Sequence, residues 1–271
     1  MAERNAAFVG SIPANYDRYL GPLFFHDYAD DLVARVETKP GLRVLETACG
    51  TGIVTARLAA RLAGQGTLVA TDLNEPMMVH AAQRLGAGAR VEWRQADATA
   101  LPFDDRSFDV VVCQFGLMFY PDKARGVREA FRVLRAGGHY VFNVWGKLED
   151  NLVPRITHET VASFFEADPP QVYTVPFSLF ETEKVTAWLR EAGFIDVTAE
   201  AVAKTGTSPS TEEAAIGLID GNPIYLAIME RTPAALGDIK AALARNLTAR
   251  LGPERPLRAP LRAFVFSARK C

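Results

Sequence analysis

Between residues 42 and 145, short apolar runs alternate with stretches in which apolar residues recur every three or four positions. Residues 42–48 (LRVLETA) are an apolar run ending in a glycine-rich turn, and the spacing of Val54, Leu58 and Leu62 predicts a helix over 53–63. A second strand is expected at 67–71. A helix capped by Asn74 follows, with Glu75 and Pro76 in its first turn and Gly86 past its end. Residues 91–95 and 109–114 read as strands three and four. Asp122 opens a helix with Val127, Ala130, Phe131 and Leu134 on one face; Gly137 and Gly138 stop it, and 140–145 reads as strand five. Buried strands written as continuous apolar runs, separated by helices, indicate a parallel sheet covered on both faces.

Beyond residue 145 this rhythm is lost. Residues 147–179 read as irregular, aromatic and interrupted by proline. Val185, Trp188 and Leu189 predict a short helix ending at Gly193, followed by a strand over 194–202 and a polar loop over 205–210. The segment 211–251 reads as helical with breaks near Gly221-Asn222-Pro223 and Pro233, and 261–268 (LRAFVFSA) as a last strand. The expected organisation is an N-terminal helical lid over 1–40 and one core over 41–271, with insertions at about 147–180 and 205–258. A helical excursion between the last two strands reads as a lid insertion, although its amphipathic surface could equally be the face of a homodimer.

Composition narrows the class. With 49% hydrophobic residues in 271, the chain can bury a core without disulfides or metal. Thirty basic against 32 acidic residues leave a formal charge of −2 with no basic stripe, which disfavours nucleic acid as a partner. Cys49, Cys113 and Cys271 are too scattered for a zinc site or a disulfide framework, so no metal is expected. The N-terminus lacks a basic region followed by an apolar run, and no window nears a membrane span. A cytoplasmic location is expected.

The turn Val44-Leu45-Glu46-Thr47-Ala48-Cys49-Gly50-Thr51-Gly52 leaves a strand and enters a helix, where open α/β sheets bind ligands. Gly50 and Gly52 lack Cβ atoms, so the backbone can turn sharply and approach a ligand, and the helix N-terminus beyond can receive a carboxylate. Asp72, ending the second strand 20 residues after Gly52, is placed to accept both hydroxyls of an adenosine ribose, and it could also simply start a turn. Asp97, ending the third strand, could accept the exocyclic amine of adenine with the Ala98 backbone beside it, or act as a turn residue.

The segments VLETACGTG, ATDLNEPMM, QADATALPFDDRSFDVVVCQFGLMFYPD and REAFRVLRAGGHYVFNVWG resemble, in order, the motifs of class I S-adenosylmethionine-dependent methyltransferases of the ubiquinone/menaquinone-biosynthesis type. The resemblance covers roughly 40–146, and the strand pair after Gly193 fits the antiparallel hairpin that ends that fold. It implies a Rossmann-like α/β fold: a seven-stranded, mostly parallel sheet with an antiparallel last strand, helices on both faces and a helical lid insertion. It further implies that Ala48, Gly50 and Gly52 border the methionine part of S-adenosylmethionine and that Asp72 meets the ribose. Leu73 and Met77 would pack on the adenine with Asp97 and Ala98 at its edge, and Gln114 and Phe115 would lie near the sulfonium. The segment Asn15-Tyr16-Asp17-Arg18-Tyr19 resembles the family's lid, which makes Tyr16 a cofactor contact or an aromatic staple. Two positions depart from the family, Ala48 for Gly and Glu46 for Asp, and the latter leaves the contact of Glu46 open.

The implied reaction is in-line methyl transfer to a small molecule. It requires a dry site and an acceptor held about 3–3.5 Å from the methyl carbon, and a base only if the acceptor is a hydroxyl. Of four histidines, His80 and His139 read as structural, leaving His158 and His26 as candidate bases. Phe115, Met118, Phe119 and Trp145, with Phe164, Phe165, Tyr173, Ile224 and Tyr225 in the insertions, could line an apolar or aromatic acceptor pocket or belong to the core. Two competing readings are an NAD-dependent oxidoreductase and a non-catalytic S-adenosylmethionine-binding protein. The first is weakened by Thr55, which stands where the third glycine of Gly-x-Gly-x-x-Gly belongs.

Overall fold

The computed structural model describes residues 8, 10–171, 173–253 and 255–271. The expectations for 1–7 and 9, including the start of the lid and the reading of the leader, lie outside the described residues.

Seven strands form one sheet: β1 (Arg43–Thr47), β2 (Thr67–Asp72), β3 (Val91–Gln95), β4 (Phe108–Gln114), β5 (Leu134–Trp145), β6 (Phe194–Ser208) and β7 (Leu257–Lys270), in the order β3-β2-β1-β4-β5-β7-β6. β1 lies parallel between β2 and β4, and β5 is parallel to β4 but antiparallel to β7. This is the mostly parallel arrangement that the apolar runs announce. Val44, Leu45, Val111 and Val112 are buried because helices cover both faces of such a sheet. The order reverses at β1, whose neighbours β2 and β4 lie on opposite sides, and that is where the carboxyl ends of strands open a ligand crevice.

The helices are α1 (Ile12–Asn15), α2 (His26–Ala34), α3 (Ile53–Leu62), α4 (Glu75–Leu85), α5 (Lys123–Val133), α6 (Leu152–Ala162), α7 (Thr182–Glu191), α8 (Thr211–Asp220), α9 (Ile224–Arg231) and α10 (Leu236–Leu251). Between α1 and α2 the chain widens into π turns over Tyr16–Phe25, where Pro22 cannot donate and the His26 N–H reaches back to the Gly21 carbonyl.

The chain divides into two compact units. A sheet unit comprises Ala29–Trp145, Leu179–Val202 and Ala263–Cys271, and holds β1 to β5 with α3, α4, α5 and α7. A helical unit comprises the chain through Tyr28, Gly146–Ser178 and Ala203–Arg262, and holds α6, α8, α9 and α10. β6 and β7 each begin in one unit and end in the other.

Four sequence expectations need correction. Helix α5 stops at Val133, and Gly137 and Gly138 lie inside β5 instead of ending the helix. There the β4–β5 register slips between the pairs Phe108↔Leu134 and Val110↔His139; Gly137 adopts φ +74°, and a Cβ on Gly138 would stand 2.8 Å from the Arg135 carbonyl oxygen. Residues 147–179 are not irregular throughout, since α6 fills 152–162 with Pro154 near its start, where a missing N–H is tolerated. β6 runs on to Ser208, so most of the expected polar loop at 205–210 is strand, and Gly206 is required because a Cβ there would overlap the Leu23 carbonyl. β7 begins at Leu257, where buried Leu257, Ala259 and Leu261 alternate with exposed positions.

Candidate active site

Three residues in the left-handed region lie within five positions of the β1–α3 turn: Ala48 at φ +52°, Gly50 at +54° and Gly52 at +78°. Glycine adopts this region freely, whereas an alanine is strained there by roughly 1–2 kcal/mol. A Cβ on Gly52 would stand 2.9 Å from Ala81 Cβ on α4, so this glycine also lets α4 close on the turn. Gly50 faces more open space, with only Met77 Cε, 3.7 Å away, near a hypothetical Cβ.

Asp72 is buried at the end of β2, and both its oxygens are oriented by backbone. The Gly50 N–H donates to Oδ2 at 2.8 Å and the Asn74 N–H to Oδ1 at 2.8 Å. Burial pushes this carboxyl above its ordinary range, and the Asn74 and Gly50 N–H groups oppose the shift. Asn74 begins α4 without capping it through its own side chain. Leu73 beside it is 61% exposed, a large apolar side chain left facing solvent, while Met77 is buried.

Glu46 lies on β1 and is almost wholly buried. The Thr55 hydroxyl on α3 donates to its Oε2 at 2.6 Å. Burial is the main cause that raises this carboxyl to about 8; the Thr55 bond opposes the rise and the nearby negative charge of Asp72 adds to it. The extra methylene relative to aspartate thus carries the carboxyl to α3. The Thr55 contact is invisible in the sequence, where Thr55 counts only as a missing glycine.

Asp97 is exposed just past β3, and its Oδ1 accepts from the Thr99 N–H at 2.7 Å and the Thr99 hydroxyl at 2.8 Å. It therefore closes the Asx turn that its turn reading anticipates, with Ala98 half-buried beside it.

Gln114 ends β4, and Phe115 follows at φ +49°, an uncommon conformation for a bulky residue. The Phe115 ring lies flat on Trp145, centroids 3.8 Å apart and planes within 5°. Its N–H donates to buried Asn143 Oδ1 at 2.9 Å. The next residue, Gly116, sits against the first turn, for a Cβ on it would stand 2.5 Å from Ala48 Cβ and 2.8 Å from Cys113 Sγ. Below, the Tyr120 hydroxyl donates to Thr47 Oγ1 at 3.1 Å and lies 3.4 Å from Cys113 Sγ. Burial pushes the Cys113 thiol up, away from thiolate reactivity. Asn143, Thr55, Tyr120 and Thr47 were all missed by sequence reasoning. Their role depends on which side chains meet, and no spacing signals it.

The structure gathers Glu46, Ala48, Gly50, Gly52, Asp72, Leu73 and Met77 around the ends of β1 and β2, with Asp97 and Ala98 after β3 and Gln114 and Phe115 after β4. Tyr16, His26 and His158 belong to the helical unit. There the Tyr16 ring stacks on Phe25 at 4.8 Å, and the His26 ring lies over Gly21, its Nε2 2.7 Å from where a Cβ would stand. His158, on α6, keeps a buried Nδ1 with no hydrogen-bond partner among the described residues. His139 lies inside β5, not in a turn ahead of it, and its Nε2 is 2.6 Å from Ser267 Oγ, joining β5 to β7. Among the described residues no cluster of three or more histidine, cysteine or acidic side chains could hold a metal, and no helix is long and apolar enough to cross a membrane.

A family model described as a methyltransferase domain matches residues 44–138. A ubiquinone/menaquinone biosynthesis C-methyltransferase from Xylella fastidiosa is 43% identical over 109 residues, 39% of this chain and 43% of the relative. The match to this relative thus spans less than half of its length. A demethylmenaquinone methyltransferase from Clavibacter sepedonicus is 35% identical over 173 residues, 58% of this chain and 67% of the relative. Among solved structures, phosphoethanolamine N-methyltransferase 2 from Haemonchus contortus, in complex with phosphomonomethylethanolamine and S-adenosylhomocysteine, superposes with a TM-score of 0.61 at 19% identity. That superposition covers 95% of this chain and 56% of the other, a likeness of fold.

Proposed function

Because the chain belongs to the class I S-adenosylmethionine-dependent methyltransferases, we propose that it binds S-adenosylmethionine at the carboxyl ends of β1, β2 and β4 and transfers the methyl group to a small aromatic molecule. One observation carries the reading: Asp72, a buried carboxylate with no basic partner among the described residues, is aimed by the Gly50 N–H of the very glycine turn that a ligand would lie against and by the Asn74 N–H that follows β2. Oδ1 accepts from the Asn74 N–H at 2.8 Å and from the Asn74 side-chain amide at 3.4 Å, whereas Oδ2 accepts from Gly50 alone among the described residues, so a ribose hydroxyl would bond most readily at Oδ2 and would displace the long side-chain bond to use Oδ1 as well. The residues present fit the cofactor, since a Cβ on Gly50 would meet only Met77 Cε, 3.7 Å away, which leaves that side of the turn open, and exposed Leu73 offers an apolar surface beside it with Met77 beneath.

When bound, S-adenosylmethionine supplies an electrophilic methyl group on a sulfonium. Ala48, Gly50 and Gly52 would border its methionine part, with Glu46 behind the turn and Tyr16 at the carboxylate end. Asp97 and Ala98 would border the adenine edge, and Gln114 and Phe115 the reacting centre. Aromatic faces can hold a sulfonium until transfer, and excluding water keeps that cation from being stabilised against reaction. Little acid or base is needed beyond this. Where the acceptor is a hydroxyl, His158 is the better base, because its Nδ1 has no partner among the described residues whereas His26 packs against its own helix. The names of the relatives, which concern quinone precursors, support a phenol or quinol acceptor. We further place the chain in the cytoplasm, without nucleic acid as substrate, and take 211–251 as lid or homodimer face.

Calorimetric titration tests the cofactor assignment. S-adenosylmethionine should bind in the micromolar range and NADH should not, and Asp72→Ala should weaken binding at least tenfold, as expected for loss of charge-assisted bonds. Binding of NADH in place of S-adenosylmethionine would overturn the proposal. Binding without methyl transfer to any of a panel of phenols and quinols would favour a non-catalytic role.

A further inference from the structure

The mechanism leaves the fully buried side chain of Asn143 unexplained. Asn143 is 0% exposed on β5, in register with Gln114 on β4 and Val265 on β7. Its Oδ1 accepts from the Phe115 N–H at 2.9 Å, the closer of that donor's two acceptors, since the Asn143 backbone carbonyl stands at 3.3 Å. Its Nδ2 is buried with no partner among the described residues. A buried amide is costly unless its bonds are made, so a half-satisfied one points to a role other than packing.

That bond falls on a strained residue. Phe115 holds φ +49°, a conformation that bulky side chains rarely adopt and that persists only where its surroundings over-determine it. Two neighbours do so here. Gly116 can adopt its position only without a Cβ, and the Asn143 oxygen fixes the Phe115 N–H. The consequence is the flat Phe115–Trp145 pair, 3.8 Å between centroids, with Trp145 two residues beyond Asn143 on the same strand.

We propose that Asn143 is a positioning residue: by holding the Phe115 amide it sets the Phe115–Trp145 pair as a planar wall at the ends of β4 and β5, against which a flat aromatic acceptor stacks. The last step rests on the methyl-transfer reading, and the positioning itself does not. Stacking selects for planarity and tolerates varied substituents, so the wall favours fused or substituted aromatic rings over saturated ones of equal size.

Fluorine NMR of the full chain labelled with 5-fluorotryptophan tests this, with the resonances of Trp93, Trp145 and Trp188 assigned by single Trp→Phe variants. Asn143→Ala should move the Trp145 resonance and leave Trp93 and Trp188 in place. Asn143→Asp, which retains an oxygen for the Phe115 N–H, should leave Trp145 near its original position. Added 1-naphthol should shift Trp145 in the unmodified chain and in Asn143→Asp, with at least tenfold weaker binding in Asn143→Ala; cyclohexanol should not shift it. Should Asn143→Ala fail to fold, Phe115→Leu carries the wall arm, with the same loss of 1-naphthol binding expected, and Asn143→Ser the positioning arm.

A Trp145 resonance unmoved in folded Asn143→Ala or Asn143→Ser overturns the positioning role. Equal responses to cyclohexanol and 1-naphthol overturn the wall. Neither measurement needs cofactor, so a chain that fails to bind S-adenosylmethionine would sink the functional reading and leave this comparison intact.

Discussion

The two units treat buried polarity differently. Every buried charged residue among those described, Glu46, Asp72 and Lys270, belongs to the sheet unit. The buried polar residues of the helical unit are all neutral: Asn151, Thr157, Thr160, Ser208, Ser210 and Thr211. Those neutral groups serve the fold. Asn151 bonds the Lys147 and Arg262 carbonyls and accepts the Arg262 N–H, and Ser210 caps α8. Lys270 likewise closes the end of α5 through the Phe131 carbonyl. Glu46 and Asp72 stand apart, as two carboxyls close enough to influence each other and without a basic partner among the described residues, at the ends of adjacent strands. Burying an unpaired carboxyl is unfavourable for folding, and such exceptions to local consistency concentrate where a ligand completes the arrangement.

The largest test of this contrast is the pH dependence of stability. Glu46 holds its proton in the folded chain up to about pH 8, whereas its ordinary value is 4.5. The folded state therefore binds more protons than the unfolded state between those values. Its stability is full below the lower value, falls as pH rises through the window and levels off above, by at most roughly 5 kcal/mol. Urea unfolding at a series of pH values should show this fall, and Glu46→Gln should flatten it; equal slopes in both chains would remove Glu46 from the comparison.

Next in size is a steric change in the other unit. Gly206→Ala pushes a methyl into the Leu23 carbonyl and should cost about 1–3 kcal/mol, while Gly237→Ala, with open space around it on α10, should be neutral or slightly stabilising. If ligand chemistry belongs to the sheet unit, Gly206→Ala should leave S-adenosylmethionine affinity within about threefold, as calorimetry would show.

The smallest effects should be the same in both units. Asp122→Ala removes the cap that accepts the Arg125 N–H, and Ser210→Ala the cap that accepts the Glu213 N–H. Each should lower stability by about 1 kcal/mol in urea melts. A much larger loss at one of them would show that its helix end carries more than a cap.

Legibility follows the same division. β1, β2, β4 and the glycine turn can be read because a strand buried on both faces must be a short apolar run, and a turn that approaches a ligand must be glycine-rich; β3, an edge strand with no buried residue, is legible from its place between a helix and a strand-end carboxylate. Asp72 and Asp97 are legible as strand-end carboxylates. The first part of β6, 194–202, is legible, but its continuation to Ser208 is not, because its polar residues look like loop and its glycine at 206 answers a close approach that sequence does not display. α6 is hidden behind Pro154, and the glycines of β5 imitate a helix stop. Within the site, the missing signals are those of side-chain meeting: Thr55 with Glu46, and Asn143 with Phe115. Nothing in a string of residues marks a phenylalanine that will adopt a positive φ.

The contact between Ala48 and Gly116 has a consequence for how this sequence can drift. The two turns share room for a single methyl group, which position 48 holds while position 116 goes without. A lineage could move that methyl across, but only in one order. Position 48 would have to become glycine, a step that also relieves its left-handed strain, and the buried Cys113 would have to move or shrink, its Sγ standing 2.8 Å from a Cβ at 116, before position 116 could accept a side chain; the reverse order passes through two methyl carbons 2.5 Å apart. A glycine–alanine exchange that looks interchangeable in either column alone is thus a gated path when both are considered.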